Sequence, residues 1–272
     1  MARAPHKSRM FALGGDAFPH DTHSLRGSLT RGAKPFGARD DAVATEGEFP
    51  SLAALRMNLT SARLDGRARI AAASEKTDGG FFSRVLEIVA EPALVGPIPV
   101  QLRVRAEDCV FVFGTTADGS RTVALQSCMN GTFDAAAATT DLESALFVLA
   151  RDAAAGHGAE VESVRLTLES ENPRRISVTA VAVAKAMFFK ATLTIRGAIA
   201  VDEEFNLRLC DATCTGDGMI ANLAAAQLRP RLAGLAARTF ALHTFLPAGM
   251  QPAGITLAGG DTLRIAATFG AT

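Results

Sequence analysis

Four consecutive runs of alternating apolar and polar residues restrict the fold of this chain more than any other feature. They follow one another in its second half, and turn signals at Asn172-Pro173 and Asp202-Glu203 lie between them. Apolar residues at every second position indicate strands that bury one face of a sheet. The predicted strands are Glu160–Ser170, Arg174–Ala184, Met187–Val201 and Glu203–Thr215.

Helices are predicted on both sides of these strands. Thr140 and Glu143 have the spacing of a capping box, which predicts a helix that starts there and ends near Gly156. A last helix is predicted from Gly218, and it continues past a kink at Pro230 to Leu235.

The segment after Gly80 predicts a further helix, which ends at Pro92. It resembles the helix that starts at Gly218, because each has a proline twelve residues on within a Pro-x-Leu sequence. An internal duplication would explain this match. The alternative is that any amphipathic helix followed by a strand produces the same pattern.

Other alternating segments predict further strands. Residues 98–114 alternate in the manner of a half-buried hairpin, and a strand is predicted over Arg121–Met129. Two closing strands are predicted near Thr239–Leu246 and Thr262–Phe269.

The first fifty residues differ in composition from the rest. Between Met1 and Arg39, seven residues are Lys or Arg, and only Asp16 and Asp21 are acidic. This composition is typical of a flexible basic arm that contacts protein partners, or of an organellar targeting segment, and both interpretations stay open. We therefore predict three regions: an extended basic arm or targeting segment over residues 1–50, a first α+β unit over 51–136 and a second unit over 137–272.

Composition restricts the class of function. The 28 basic and 28 acidic side chains cancel, and the chain has no Trp or Tyr, so we expect no binding to nucleic acid. The longest apolar stretch, Ile176 to Ile195, contains Lys185 and Lys190 and is not expected to span a bilayer. The basic first segment slightly favours an organelle over the cytoplasm, with the protein soluble or at a membrane surface.

No motif for catalysis, cofactor binding or metal binding is found in the sequence. It lacks the glycine-rich phosphate loops, the nucleophile elbow and the zinc-binding His-Glu-x-x-His pattern. Four cysteines are too few for a disulfide scaffold, and Cys210 and Cys214 are expected to be free thiols. We therefore expect no enzyme activity, no cofactor and no metal.

The order of elements after Thr139 resembles that of a known family. Thr140–Leu146 is similar to its opening helix motif, Met219–Leu235 to its long helix and Leu263–Gly270 to its closing strand. On these segments the C-terminal half resembles the LmeA-like phospholipid-binding family of the tubular lipid-binding (TULIP) superfamily. The resemblance implies an α+β fold in which a strongly curved antiparallel sheet wraps round long helices and leaves an elongated apolar cleft.

A cleft of this kind suggests which residues contact a ligand. Ala180, Ala182, Ala184 and Ala186 leave room for a lipid or another apolar small molecule, and Arg229, Arg231 and Arg238 are candidates to contact anionic headgroups or an acidic partner. The alternatives are that the candidate residues form an ordinary core, and that the protein is a structural accessory subunit of a larger assembly with no ligand. The predicted ligand-binding residues are Met219, Ile220, Leu223, Leu228, Leu232, Val181, Val183, Met187, Phe81 and Phe82.

Overall fold

The structure, a computed structural model, describes residues 9–15, 17–64, 71–72, 75–155, 159–186, 189–242 and 250–271. These residues form an α+β fold that is mostly sheet, as predicted. The helices within them are α1 (Thr22–Ala33), α2 (Thr139–Ala155) and α3 (Met219–Ala236), and a 3-10 turn follows α1 at Lys34–Phe36. The strands are β1 (Arg9–Ala12), β2 (Val43–Glu48), β3 (Ser51–Asn58), β4 (Ala71–Ala72), β5 (Glu75–Val95), β6 (Ile98–Thr115), β7 (Arg121–Ser127), β8 (Asn130–Ala138), β9 (Glu160–Asn172), β10 (Arg175–Ala186), β11 (Phe189–Val201), β12 (Asn206–Asp217), β13 (Thr239–Ala241), β14 (Met250–Ala258) and β15 (Thr262–Ala271).

The chain divides into two compact units. Unit 1 consists of Met1–Ala135, His243–Gly254 and Ala266–Thr272, and unit 2 consists of Ala136–Leu242 and Ile255–Ile265. The tip of the β14–β15 hairpin therefore belongs to unit 2, whereas the remaining parts of both strands belong to unit 1.

Unit 1 is organised by a mixed sheet with a phenylalanine-rich core. Among the described strands the order is β14-β15-β8-β6-β5-β3-β2, with β7 added beside β6 and with β1 pairing both β7 and β4. Strand β5 pairs parallel to β3 and antiparallel to β6, so it lies in the middle of the sheet. The Phe81 and Phe111 rings stack with their centroids 4.5 Å apart, and Phe18 stacks on Phe113 at 5.4 Å.

The prediction of an extended N-terminal arm is wrong. Helix α1 forms within residues 1–50, and the Asp21 carboxylate caps its start by accepting a hydrogen bond from the Ser24 amide at 2.7 Å. Leu25 and Leu29 of this helix are buried in the core of unit 1. The prediction used the basic composition of this segment and did not consider the spacing of its apolar residues. Although these residues are few, their spacing allows them to bury one face of a helix.

The helix predicted after Gly80 is also wrong. This segment is the central part of β5, and its aromatic and β-branched residues suit a strand that has neighbours on both sides. The segment after Gly80 is therefore a strand, whereas the segment that it matches after Gly218 is a helix. This difference removes the basis of the predicted duplication.

The hairpin predicted over residues 98–114 is instead the single strand β6. The strand has an irregularity at Asp108, whose φ angle is 51°. The chain continues in the same direction after this residue, so no turn forms. Strand β7 agrees with the prediction.

Unit 2 contains an antiparallel sheet with the order β13-β12-β11-β10-β9 among its described residues. The four alternating runs are confirmed as β9 to β12, and the two flanking helices are confirmed as α2 and α3, with α3 continuing through Pro230. The sheet is not strongly curled, so wrapping of the sheet round a helix is not observed.

Candidate functional site

The two faces of the sheet in unit 2 differ in chemistry. Ala180 of β10 pairs with Leu166 and Ile195, and Ala182 pairs with Val164 and Leu193, so apolar side chains share one face. We call it the apolar face: Val164, Leu166, Leu168, Val178, Ala180, Ala182, Ala184, Leu193, Ile195, Cys214 and Gly216. The opposite face is the threonine face: Thr167, Thr179, Val181, Val183, Thr192, Thr194, Thr213 and Thr215.

Helix α3 covers the apolar face at β12. A Cβ atom on Gly216 would lie 2.2 Å from the backbone carbon of Ala221, so the glycine lets the first turn of α3 approach the strand closely. Further along, the Arg229 guanidinium donates a hydrogen bond to the Cys214 carbonyl at 3.1 Å. Ala221 and Ala225 are buried against the sheet, with Leu228 and Leu232 half-buried on the same row.

Helix α2 packs along β9, which is the edge strand at the opposite end of the sheet from β13. The Glu143 carboxylate, predicted to cap this helix, instead accepts a hydrogen bond from the Leu166 amide at 2.7 Å. Val161 and Leu168 are buried whereas Arg165 and Thr167 are exposed, so the cover on β9 lies over the apolar face. Glu143 thereby ties the helix to the edge strand.

The tip of the β14–β15 hairpin closes one end of the apolar face. A Cβ atom on Gly259 would lie 2.8 Å from a methyl group of Ile176, whose side chain is fully buried. The Thr139 hydroxyl donates to the Gly260 carbonyl at 2.6 Å, and the Gly259 amide donates to the Ser170 hydroxyl at 2.8 Å. These bonds hold the tip against the start of α2 and the end of β9.

Between the two helices, the middle of the apolar face is only partly covered. Helix α2 packs on β9, and α3 packs on β12 and reaches β11, so β10 lies between the helices. At a strand spacing of about 4.8 Å, helices centred over β9 and between β11 and β12 would have their axes about 12 Å apart, whereas helices in direct contact are about 8–10 Å apart. We call the part of the apolar face between the two helices the unit 2 groove; its floor consists of the half-buried residues Val178, Ala180, Ala182, Ala184, Leu193 and Ile195.

The groove is apolar and uncharged along its floor. It extends about 20 Å from Val178 to Ala184 at about 3.4 Å per residue. Burial raises the pKa of the Cys214 thiol at its margin, and the neighbouring Arg229 guanidinium opposes this shift. The thiol is therefore neutral at physiological pH, and all four cysteines of the chain are free.

Some of the predicted ligand-binding residues lie at this groove and others do not. Leu228 and Leu232 lie on the sheet-facing row of α3. Leu223 is 65% exposed, because it lies about 160° round the helix axis from the buried Ala225. Its prediction as a groove residue is wrong.

The two predicted valines, Val181 and Val183, lie on the threonine face. Their odd positions alternate with Ala180, Ala182 and Ala184, so one face cannot hold both sets. This correction was available in the sequence, because the period of two alone separates the valines from the alanines.

The two predicted phenylalanines belong to unit 1. Phe81 is buried in its core, and Phe82 is half-buried on β5. Met187 lies outside the described residues, as do the side chains of Met219 and Ile220.

Unit 1 also has a cavity, with a volume of about 650 Å³. Its lining is mixed, because an ion pair between Arg105 and Glu107, 3.8 Å apart, lies beside the apolar Met129 and Phe269. It therefore lacks the long uncharged floor of the unit 2 groove.

No family model, curated protein or solved structure matches this chain. Among the described helices, none combines the length and the hydropathy that a membrane crossing requires. The geometry of the unit 2 groove is therefore the basis on which we propose a function.

Proposed function

We propose that this protein binds a lipid or another long apolar ligand in the unit 2 groove and performs no catalysis. The observation that carries the proposal is the incompletely buried apolar floor between α2 and α3. Soluble proteins rarely leave a continuous apolar surface uncovered unless it binds something.

The energetics suit a flexible hydrocarbon chain. Each methylene that leaves water gains about 0.8 kcal/mol, so a chain lying along a floor about 20 Å long needs no charged anchor. The small side chains of Ala180, Ala182 and Ala184 leave space for the ligand above the sheet. Leu228 and Leu232 supply apolar contacts from the side of α3.

The test compares two neighbouring residues on opposite faces of β10. Ala182→Phe fills the groove, whereas Val181→Phe places the same ring on the threonine face. We expect titration with a fluorescent long-chain fatty acid to show affinity reduced at least about tenfold for Ala182→Phe, equivalent to about 1.4 kcal/mol, and unchanged for Val181→Phe. Equal effects of both variants, or no effect of either, would contradict the proposal.

Organic extraction of the purified protein, followed by lipid analysis, identifies a ligand acquired during expression. Failure of the wild-type protein to bind the fatty acid, with no lipid in the extract, would instead favour the structural accessory subunit.

A further inference from the structure

The outward side of α3 combines exposed leucines with exposed arginines. Leu223 and Leu235 are 65% and 46% exposed, and Phe240 beyond the helix is 50% exposed. Arg231 and Arg238 are exposed as well, and within the described part of the chain neither pairs with a carboxylate.

These exposed residues lie on the outward side of α3 and just beyond its end. Leu223, Gln227 and Arg231 are spaced by four residues, so they follow one another along the helix surface, and Leu223 lies opposite the buried Ala221 and Ala225. Leu235 comes seven residues after the half-buried Leu228, so it lies at the margin of the sheet-facing row. We call the set of Leu223, Gln227, Arg231, Leu235, Arg238 and Phe240 the α3 outer stripe.

The charge of this region differs from that of the whole chain. From Gly218 to Gly260 the sequence contains no Asp or Glu, although the complete chain has equal numbers of acidic and basic residues. Exposed leucines together with exposed arginines, in a segment without acidic residues, are suited to the surface of an anionic membrane.

We infer that the α3 outer stripe docks this protein on the surface of a bilayer that contains anionic phospholipid. The leucines and Phe240 enter the region between headgroups and acyl chains, and Arg231 and Arg238 contact the lipid phosphates. The contact lies on the interface and involves no membrane crossing. It does not require the groove to hold a ligand.

Helix α2 provides a matched control. Leu149 is 64% exposed, almost the same as Leu223, but α2 carries Asp141, Glu143 and Asp152 against a single Arg151. Its exposed leucine therefore lies in an acidic environment that anionic vesicles repel.

The experiment measures flotation of the full chain with vesicles of phosphatidylcholine alone or with added phosphatidylglycerol. We expect binding to the anionic vesicles that decreases with salt and that falls by well over tenfold in Arg231→Glu/Arg238→Glu, because this variant removes two attractive charges and adds two repulsive ones. Leu223→Asp should weaken binding, and Leu149→Asp should leave it unchanged. Circular dichroism verifies that each variant is folded.

Three results would overturn the inference: no flotation of the wild-type protein, equal flotation with neutral and anionic vesicles, or equal losses in Leu223→Asp and Leu149→Asp. Fatty-acid titration of the same variants separates this inference from the proposed function. Leu223→Asp should retain uptake of the fatty acid, whereas Ala182→Phe should lose uptake and retain flotation.

Discussion

Unit 1 and unit 2 both present apolar sheet surfaces, but they cover them differently. In unit 1 the centre of the sheet is well covered, with Leu25 of α1 and Leu52 and Leu55 of β3 fully buried. In unit 2 one end of the apolar face is closed at Ile176, while the middle of β10 stays only half-buried. This difference is the reason that we propose unit 2, and not unit 1, as the ligand-binding part of the chain.

The largest expected effect comes from the core of unit 1. Leu25→Asp places an unpaired charge beside buried phenylalanines and leucines, which we expect to cost about 4 kcal/mol or more and to unfold unit 1. Circular dichroism is the appropriate measurement, because the chain has no Trp or Tyr for intrinsic fluorescence.

The control is Leu223→Asp, the same substitution on the exposed side of α3. We expect it to change the free energy of unfolding by less than about 0.5 kcal/mol. If Leu25→Asp were tolerated equally well, the N-terminal helix would not belong to the core of unit 1.

The second effect is the alkaline sensitivity of unit 1. Burial is the main reason that the pKa of Cys109 is raised from 9.0 to about 12, with smaller contributions from Cys128 and Asp108, and burial raises the pKa of Cys128 to about 11. The thiols of the unfolded chain lose their protons at a lower pH than the folded thiols do. The free energy of unfolding therefore has its full value below pH 9.0 and decreases as the pH rises towards these pKa values. The expected loss is about 1.4 kcal/mol per pH unit for each thiol.

The measurement is urea denaturation between pH 9 and pH 11. The chain has no tyrosine, so cysteine and lysine dominate its titration in this range. Cys109→Ala should reduce the dependence of stability on pH compared with the wild-type protein. An unchanged dependence would show that the folded Cys109 thiol ionises as easily as the unfolded one.

The smallest effect compares two alanines. Ala106 of β6 is buried in unit 1, whereas Ala182 of β10 is only half-buried in the groove. Ala106→Leu should destabilise the protein by about 1–3 kcal/mol through overpacking, and Ala182→Leu should cost less than about 1 kcal/mol because the groove has room. Similar costs, measured by urea denaturation, would show that the apolar face of unit 2 is already filled.

Much of unit 2 could be predicted from the sequence because apolar and polar residues alternate over most of its strands. Register shifts interrupt the alternation in the β9–β10 and β11–β12 pairs, and α3 begins at Met219, directly after the expected Gly218. Strand β5 was mistaken for a helix because a strand in the middle of a sheet can be apolar at successive positions, as at Phe81 and Phe82, which hides the period of two.

The candidate site was predicted less well than the fold. Residues Leu228 and Leu232 were identified as part of an apolar row, but the distance between α2 and α3 depends on tertiary contacts such as Gly216 against Ala221. The Glu143 bond to the Leu166 amide joins residues 23 positions apart, and no local pattern specifies it.

The most direct test of the unit 2 groove is photolabelling with a fatty acid that carries a diazirine near the end of its chain, followed by peptide mapping. The account predicts labelled residues on β10 and β11, at Val178, Ala180, Ala182, Leu193 or Ile195, and loss of these labels in Ala182→Phe. Labels confined to the threonine face, or to the unit 1 cavity around Met129, would contradict it.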